Sequence, residues 1–102
     1  MEAIWHATPD GVPAEPGEEG FVHASFRSQL AETLRLHYRP YGGVVLLRLD
    51  PRALGERLVC EPSRGGQLFP HVYGRVTPAD IAECLPIQRG ADGAFDLSAV
   101  PD

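Results

Sequence analysis

The chain has 102 residues, enough for one domain with a single core, and its 43% hydrophobic and 23% charged residues are those of a globular protein. Asp and Glu outnumber Arg 14 to 9, for a net charge of −5, which argues against non-specific attraction to nucleic acid or an anionic membrane. There is no Lys, so any local anion pocket has to use the fork of an Arg guanidinium.

No basic leader with a long apolar run opens the sequence and no stretch reaches membrane-spanning length, so a cytoplasmic protein is expected. Cys60 and Cys84 stand far apart in apolar company without metal-ligand spacing, and are expected to be buried free thiols.

In chain order, residues 3–7 read as a first strand with Ile4 and His6 on one face and Trp5 on the other. Residues 8–19 carry Pro9, Gly11, Pro13, Pro16 and Gly17 among acids, the composition of an exposed loop. A second strand runs over 20–24, with Ser25 placed as N-cap of a helix from Phe26, whose face is marked by Phe26, Leu30, Leu34 and Tyr38. The apolar run 44–49, broken only by Arg48, predicts a strand covered on both faces at the sheet centre.

Asp50-Pro51 followed by Gly55 predicts one capped helical turn, and 58–61 a short strand with Glu61 at its exit. The next strand spans 67–76, where Pro70 removes a ladder donor and predicts an edge position or a bulge. Thr77 to Asp80 reads as a second capped turn, and 81–87 as a last, edge strand because of Pro86. The order predicts one α+β domain over residues 1–88, with a small, split, mainly antiparallel sheet and one main helix, followed by a loosely attached tail over 89–102.

Two stretches bring chemistry-bearing rings to one face of a strand. Phe69-Pro70-His71-Val72-Tyr73-Gly74 sets Phe69, His71 and Tyr73 together, and Gly20-Phe21-Val22-His23-Ala24-Ser25 does the same for Phe21, His23 and Ser25. Three of the four His lie on strands, each followed within three residues by a small or turn residue (Ala7, Ala24, Gly74) that lets a ligand near the backbone. His6, His23, Glu61 and His71 are therefore the candidate catalytic groups, with Ser25, Tyr73 and Arg64 as ligand-binding groups, all expected to line one hollow. His37, on the helix, is expected at the surface or in packing. No phosphate-cradling loop, nucleophile elbow or zinc-protease helix is present.

Ile4-Trp5-His6, the segment 20–25, Glu61 and the hexapeptide 69–74 together resemble the domain of unknown function 952 family over about residues 3–88. That family is similar in fold to the ADP-ribosyltransferases, especially the branch of the RNA 2'-phosphotransferases. The resemblance implies that His6 meets a ligand's ribose and that His23 sits beside the nicotinamide or phosphate, with His71 and Tyr73 across from them. Where the transferases carry an acid, this sequence has His71, with Glu61 one strand earlier. The function implied is that of an enzyme acting on NAD or a related ADP-ribose compound, Glu61 stabilising positive charge at the anomeric carbon. The residues themselves leave open a non-catalytic pocket for a nucleotide or phosphorylated metabolite, and a metal-assisted hydrolase using His and Glu ligands.

Overall fold

Strand β1 (Ile4–Thr8) leads to β2 (Phe21–His23) and β3 (Ser25–Phe26), and helix α1 (Leu30–His37) follows. Then come β4 (Gly43–Leu49), the short α2 (Pro51–Leu54), β5 (Leu58–Pro62), β6 (Leu68–Tyr73) and β7 (Ile81–Gln88). The structure, a computed structural model, describes residues 2–102, apart from the side chain of Arg64. Every strand pairing is antiparallel, in two sheets ordered β3-β1-β4-β7 and β2-β6-β5, so the fold is α+β with a split sheet.

The apolar run of β4 lies between β1 and β7, and both its faces are covered. Val44 and Leu46 meet Trp5, Leu30, Leu34 and Ile87 under α1, while Leu47 and Leu49 meet Ile4, Val22, Leu54 and Val72 between the two sheets. A strand buried on both faces has no polar side to alternate with, which is why 44–49 reads as a continuous run. Asp50 caps α2 by accepting from the Arg52 N–H at 3.0 Å, with Pro51 at the first helical position. Thr77 and Asp80 form a capping box at the turn Pro78–Asp80, the Asp80 carboxylate reaching back to accept the Thr77 N–H at 2.9 Å and pairing with Arg57.

Six expectations need correction. The strand expected over 20–24 ends at His23, and after Ala24 the chain changes sheets, so that Ser25 pairs with Trp5 of β1. Ser25 consequently does not cap the helix: its hydroxyl bonds Thr33 at 2.9 Å, and the Phe26 N–H is satisfied by the Gln29 side chain at 3.0 Å. Phe26 itself precedes α1.

Pro70 is in the middle of its sheet, because β6 is flanked by β2 and β5. Its carbonyl accepts the Ala24 N–H at 3.1 Å, and the donor it lacks falls opposite Ala24, where β2 has already ended. The missing N–H therefore costs the ladder nothing that the sheet switch has not already removed. Gly20 and Gly74 close the other end of that ladder, the Gly74 N–H reaching the Gly20 carbonyl at 3.1 Å, with φ of 83° and 88° that side-chain-bearing residues rarely adopt.

Residues 89–102 are not loose. Val100 is buried against the Trp5 cluster with Phe95 and Leu97 beside it, and Arg27 donates to the carbonyls of both Leu97 and Val100. Arg89 holds the start of the segment by bonding the carbonyls of Tyr38, Arg39 and Tyr41 beyond the end of α1. Lastly, Cys60 and Cys84 are free but exposed, because each sits on the outward-facing side of a strand. Among the described residues, no helix is long and apolar enough to cross a membrane.

Candidate functional site

The antiparallel register of β2 with β6 sets Phe21 opposite Tyr73 and His23 opposite His71, and all four rings share the outer face of the three-stranded sheet. Phe21 lies flat on His71, with centroids 3.9 Å apart and planes 16° from parallel. The His23 ring meets His71 edge-on at 5.3 Å. The edge contact is an arrangement that aromatic quadrupoles favour.

Glu61 reaches into this face from β5. Its Oε1 accepts the Tyr73 hydroxyl at 2.6 Å and the His71 Nδ1–H at 2.8 Å. Those two bonds, Tyr73 first, hold the Glu61 carboxyl below its ordinary range, and the carboxylate in turn pushes the Tyr73 phenol up. An ionised carboxylate can only accept, so the proton between it and His71 belongs to Nδ1. His71 Nε2 is then turned away from β5, and it is buried without a partner among the described residues.

His6 is placed differently. It is 4% exposed on the side of β1 that faces the second sheet, its Nδ1–H donating to the His23 carbonyl at 2.8 Å and its Nε2 accepting the Ala14 N–H at 3.1 Å. Both ring nitrogens are spent on backbone, and burial, partly offset by the His23 bond, keeps the ring's pKa below its ordinary value. It clamps the Pro/Gly segment to the sheets and fixes the backbone of His23, and it is not among the residues lining the cleft beside His23.

A cleft of about 530 Å³ opens where the chain changes sheets, with His23, Ala24 and Ser25 along one wall. Trp5 and Phe69 provide apolar rings, α1 presents Thr33 and His37 with Tyr38 just past its end, and Ser63 stands at the turn between β5 and β6. The Tyr38 hydroxyl is held by the Ala7 carbonyl at 2.8 Å, and burial raises its pKa. Of the residues expected to share a hollow, His23 and Ser25 line this cleft; His71, Glu61 and Tyr73 form the hydrogen-bonded cluster against His23, outside the lining. The Arg64 side chain, expected at the ligand, lies outside the described part of the structure.

Thr33, Tyr38 and Trp5 carry in the sequence the signature of packing on a helix or a buried strand face, and His37, expected at the surface or in packing, also lines the cleft. The one available hint was the eight-residue step from Ser25 to Thr33, which a turn and a helix fold back into contact. Among the described residues, no three His, Cys, Asp or Glu side chains gather to hold a metal ion.

The sequence model of a family described as "Protein of unknown function (DUF952)" matches residues 3–84. Among solved structures, the crystal structure of protein CC0527 from Caulobacter crescentus is 28% identical, covers 94% of this chain and 95% of its own, and has a TM-score of 0.79. A double mutant of the same protein matches equally well, at 28% identity and a TM-score of 0.79 over 94% of this chain and 95% of that one. Its solution NMR structure is again 28% identical, covering 95% of this chain and 94% of that one at a TM-score of 0.79. No curated protein matches the chain.

Proposed function

The chain belongs to the DUF952 family of proteins of unknown function, and from that premise we propose that it is an ADP-ribosyltransferase-like enzyme acting on NAD or a related ADP-ribose compound in the cleft beside His23. The observation that carries the reading is the composition of the cleft together with its neighbour. A space of about 530 Å³ is walled by stacking rings (Trp5, Phe69), hydroxyls (Ser25, Thr33) and imidazoles (His23, His37), and it meets the Glu61–His71–Tyr73 cluster at His23. Ligand sites of that size take small organic molecules, with few polar groups fixing orientation. Rings and hydroxyls suit a nicotinamide or adenine and a ribose; the ionised Glu61 supplies the negative charge that an oxocarbenium-like centre requires.

A second reading, binding without turnover of a nucleotide or phosphorylated metabolite, is favoured by one fact: Glu61 does not itself line the cleft. A metal-assisted hydrolase has no such support, given the missing donor cluster among the described residues.

Trp5 is the sole tryptophan and stands in the cleft wall, so its fluorescence reports occupancy. Titration with NAD is expected to change that emission, and incubation at millimolar NAD to release nicotinamide. Emission change without release leaves the binding reading; no change with either NAD or ADP-ribose removes the ADP-ribose reading.

A further inference from the structure

We propose that His71, held by Glu61, is the proton acceptor of this site: its Nε2 takes the proton of a ligand hydroxyl or attacking water once the His23 ring turns aside. The inference deepens the reading of the cleft as an ADP-ribose site and rests on it.

Three observations carry it. The His71 side chain is 5% exposed, yet its Nε2 has no partner among the described residues, and a buried polar atom left unpaired is costly unless something else occupies it at work. Glu61 fixes Nδ1 as the protonated nitrogen at 2.8 Å, and Tyr73 steadies the same carboxylate oxygen at 2.6 Å, so the ring's orientation and tautomer are set before any ligand arrives. A carboxylate behind an imidazole in this manner leaves the far nitrogen to act as a base and stabilises the imidazolium that results.

The third observation concerns the cover. His23 links His71 to the cleft, lining the cleft while its ring meets His71 edge-on at 5.3 Å, and its side chain is 64% exposed, with Phe21 at its edge and a single side-chain hydrogen bond, 3.3 Å to Glu19, which is itself 61% exposed. A ring so lightly restrained turns readily, whereas Phe21, stacked flat at 3.9 Å, keeps His71 in place. In the reaction on NAD, the oxygen of the hydroxyl or water forms a bond to the anomeric carbon as its proton passes to Nε2. The carbon–nitrogen bond breaks with its electron pair going to the pyridinium ring, which leaves as neutral nicotinamide, and the imidazolium remains paired with Glu61.

The test is long-range ¹⁵N–¹H spectroscopy of the imidazole nitrogens in the intact, unmutated protein, free and saturated with ADP-ribose, with Trp5 emission recorded in parallel. The free protein is expected to show His71 protonated at Nδ1. ADP-ribose is expected to shift Nε2 of His71 well beyond any change at its Nδ1, because a new hydrogen bond acts on one nitrogen whereas a displaced neighbouring ring acts on both. A free protein protonated at Nε2, or a ligand that moves His23 and Trp5 but leaves His71 Nε2 still, overturns the inference while the cleft reading stands. If neither Trp5 nor His23 responds, the cleft reading fails and the inference fails with it.

Discussion

His6 illustrates how an unusual residue type misleads when its hydrogen bonds cannot be seen. The sequence offered an imidazole at a strand end next to a Pro/Gly segment, which fits a ribose-binding group as well as a structural one. What decides is that its two nitrogens are saturated by the His23 carbonyl and the Ala14 N–H. His6→Phe would fill similar space but leave both backbone groups unpaired, and each such group costs about 1–3 kcal/mol when buried. A matching fall in urea-unfolding free energy is expected; an unchanged midpoint would show that water replaces both bonds. The ring also sets a pH dependence. Its folded pKa lies below the ordinary 6.5, so as pH falls through that value the unfolded chain gains a proton the folded one refuses. Stability therefore declines from about pH 6.5 down to the folded pKa and is flat with respect to this group below it, a slope that His6→Phe should flatten in the same unfolding series.

At the scale of elements, local signals were legible where local chemistry suffices. The Asp50-Pro51 cap, the Thr77–Asp80 turn and the continuous apolar run of β4 each depend on neighbours a few residues away or on uniform burial, and each formed as read. The exchange of sheets between His23 and Ser25 was not legible, since it depends on which partner each residue finds: His71 for one, Trp5 for the other. Pro70 was misjudged for the same reason, its harmlessness being a property of where β2 stops. The final segment shows a comparable gap, because its Pro, Gly and Asp content reads as a tail while Val100, 5% exposed, completes the core under α1. Removing residues 97–102 should cost at least about 1.5 kcal/mol from Val100 alone, before the loss of both carbonyls held by Arg27. Equal unfolding midpoints for the full and shortened chains would contradict this packing.

For the whole molecule, the Cα radius of gyration is 12.9 Å, against about 13 Å for one compact domain of 100 residues, so the last fourteen residues belong to the body of the fold. That body has three layers: α1 with the C-terminal segment, the four-stranded sheet, and the three-stranded sheet. The cleft lies where the chain switches sheets, between α1, the α1-facing side of β1 and the rim of the three-stranded sheet, which places His23 and Ser25 at its wall and the His71 cluster against His23. The sequence indicated that these rings belong together but not which of them face the opening, a matter settled by layer geometry. Calorimetric titration of the intact protein and of His23→Ala with ADP-ribose, both checked for native circular dichroism, tests the central claim most directly. His23 is exposed and its loss should leave the fold intact, so the account predicts heat of binding for the natural protein and at least a tenfold weaker affinity, about 1.4 kcal/mol, for the variant. No heat from the natural protein at millimolar ADP-ribose, or equal affinity in the two, would contradict it.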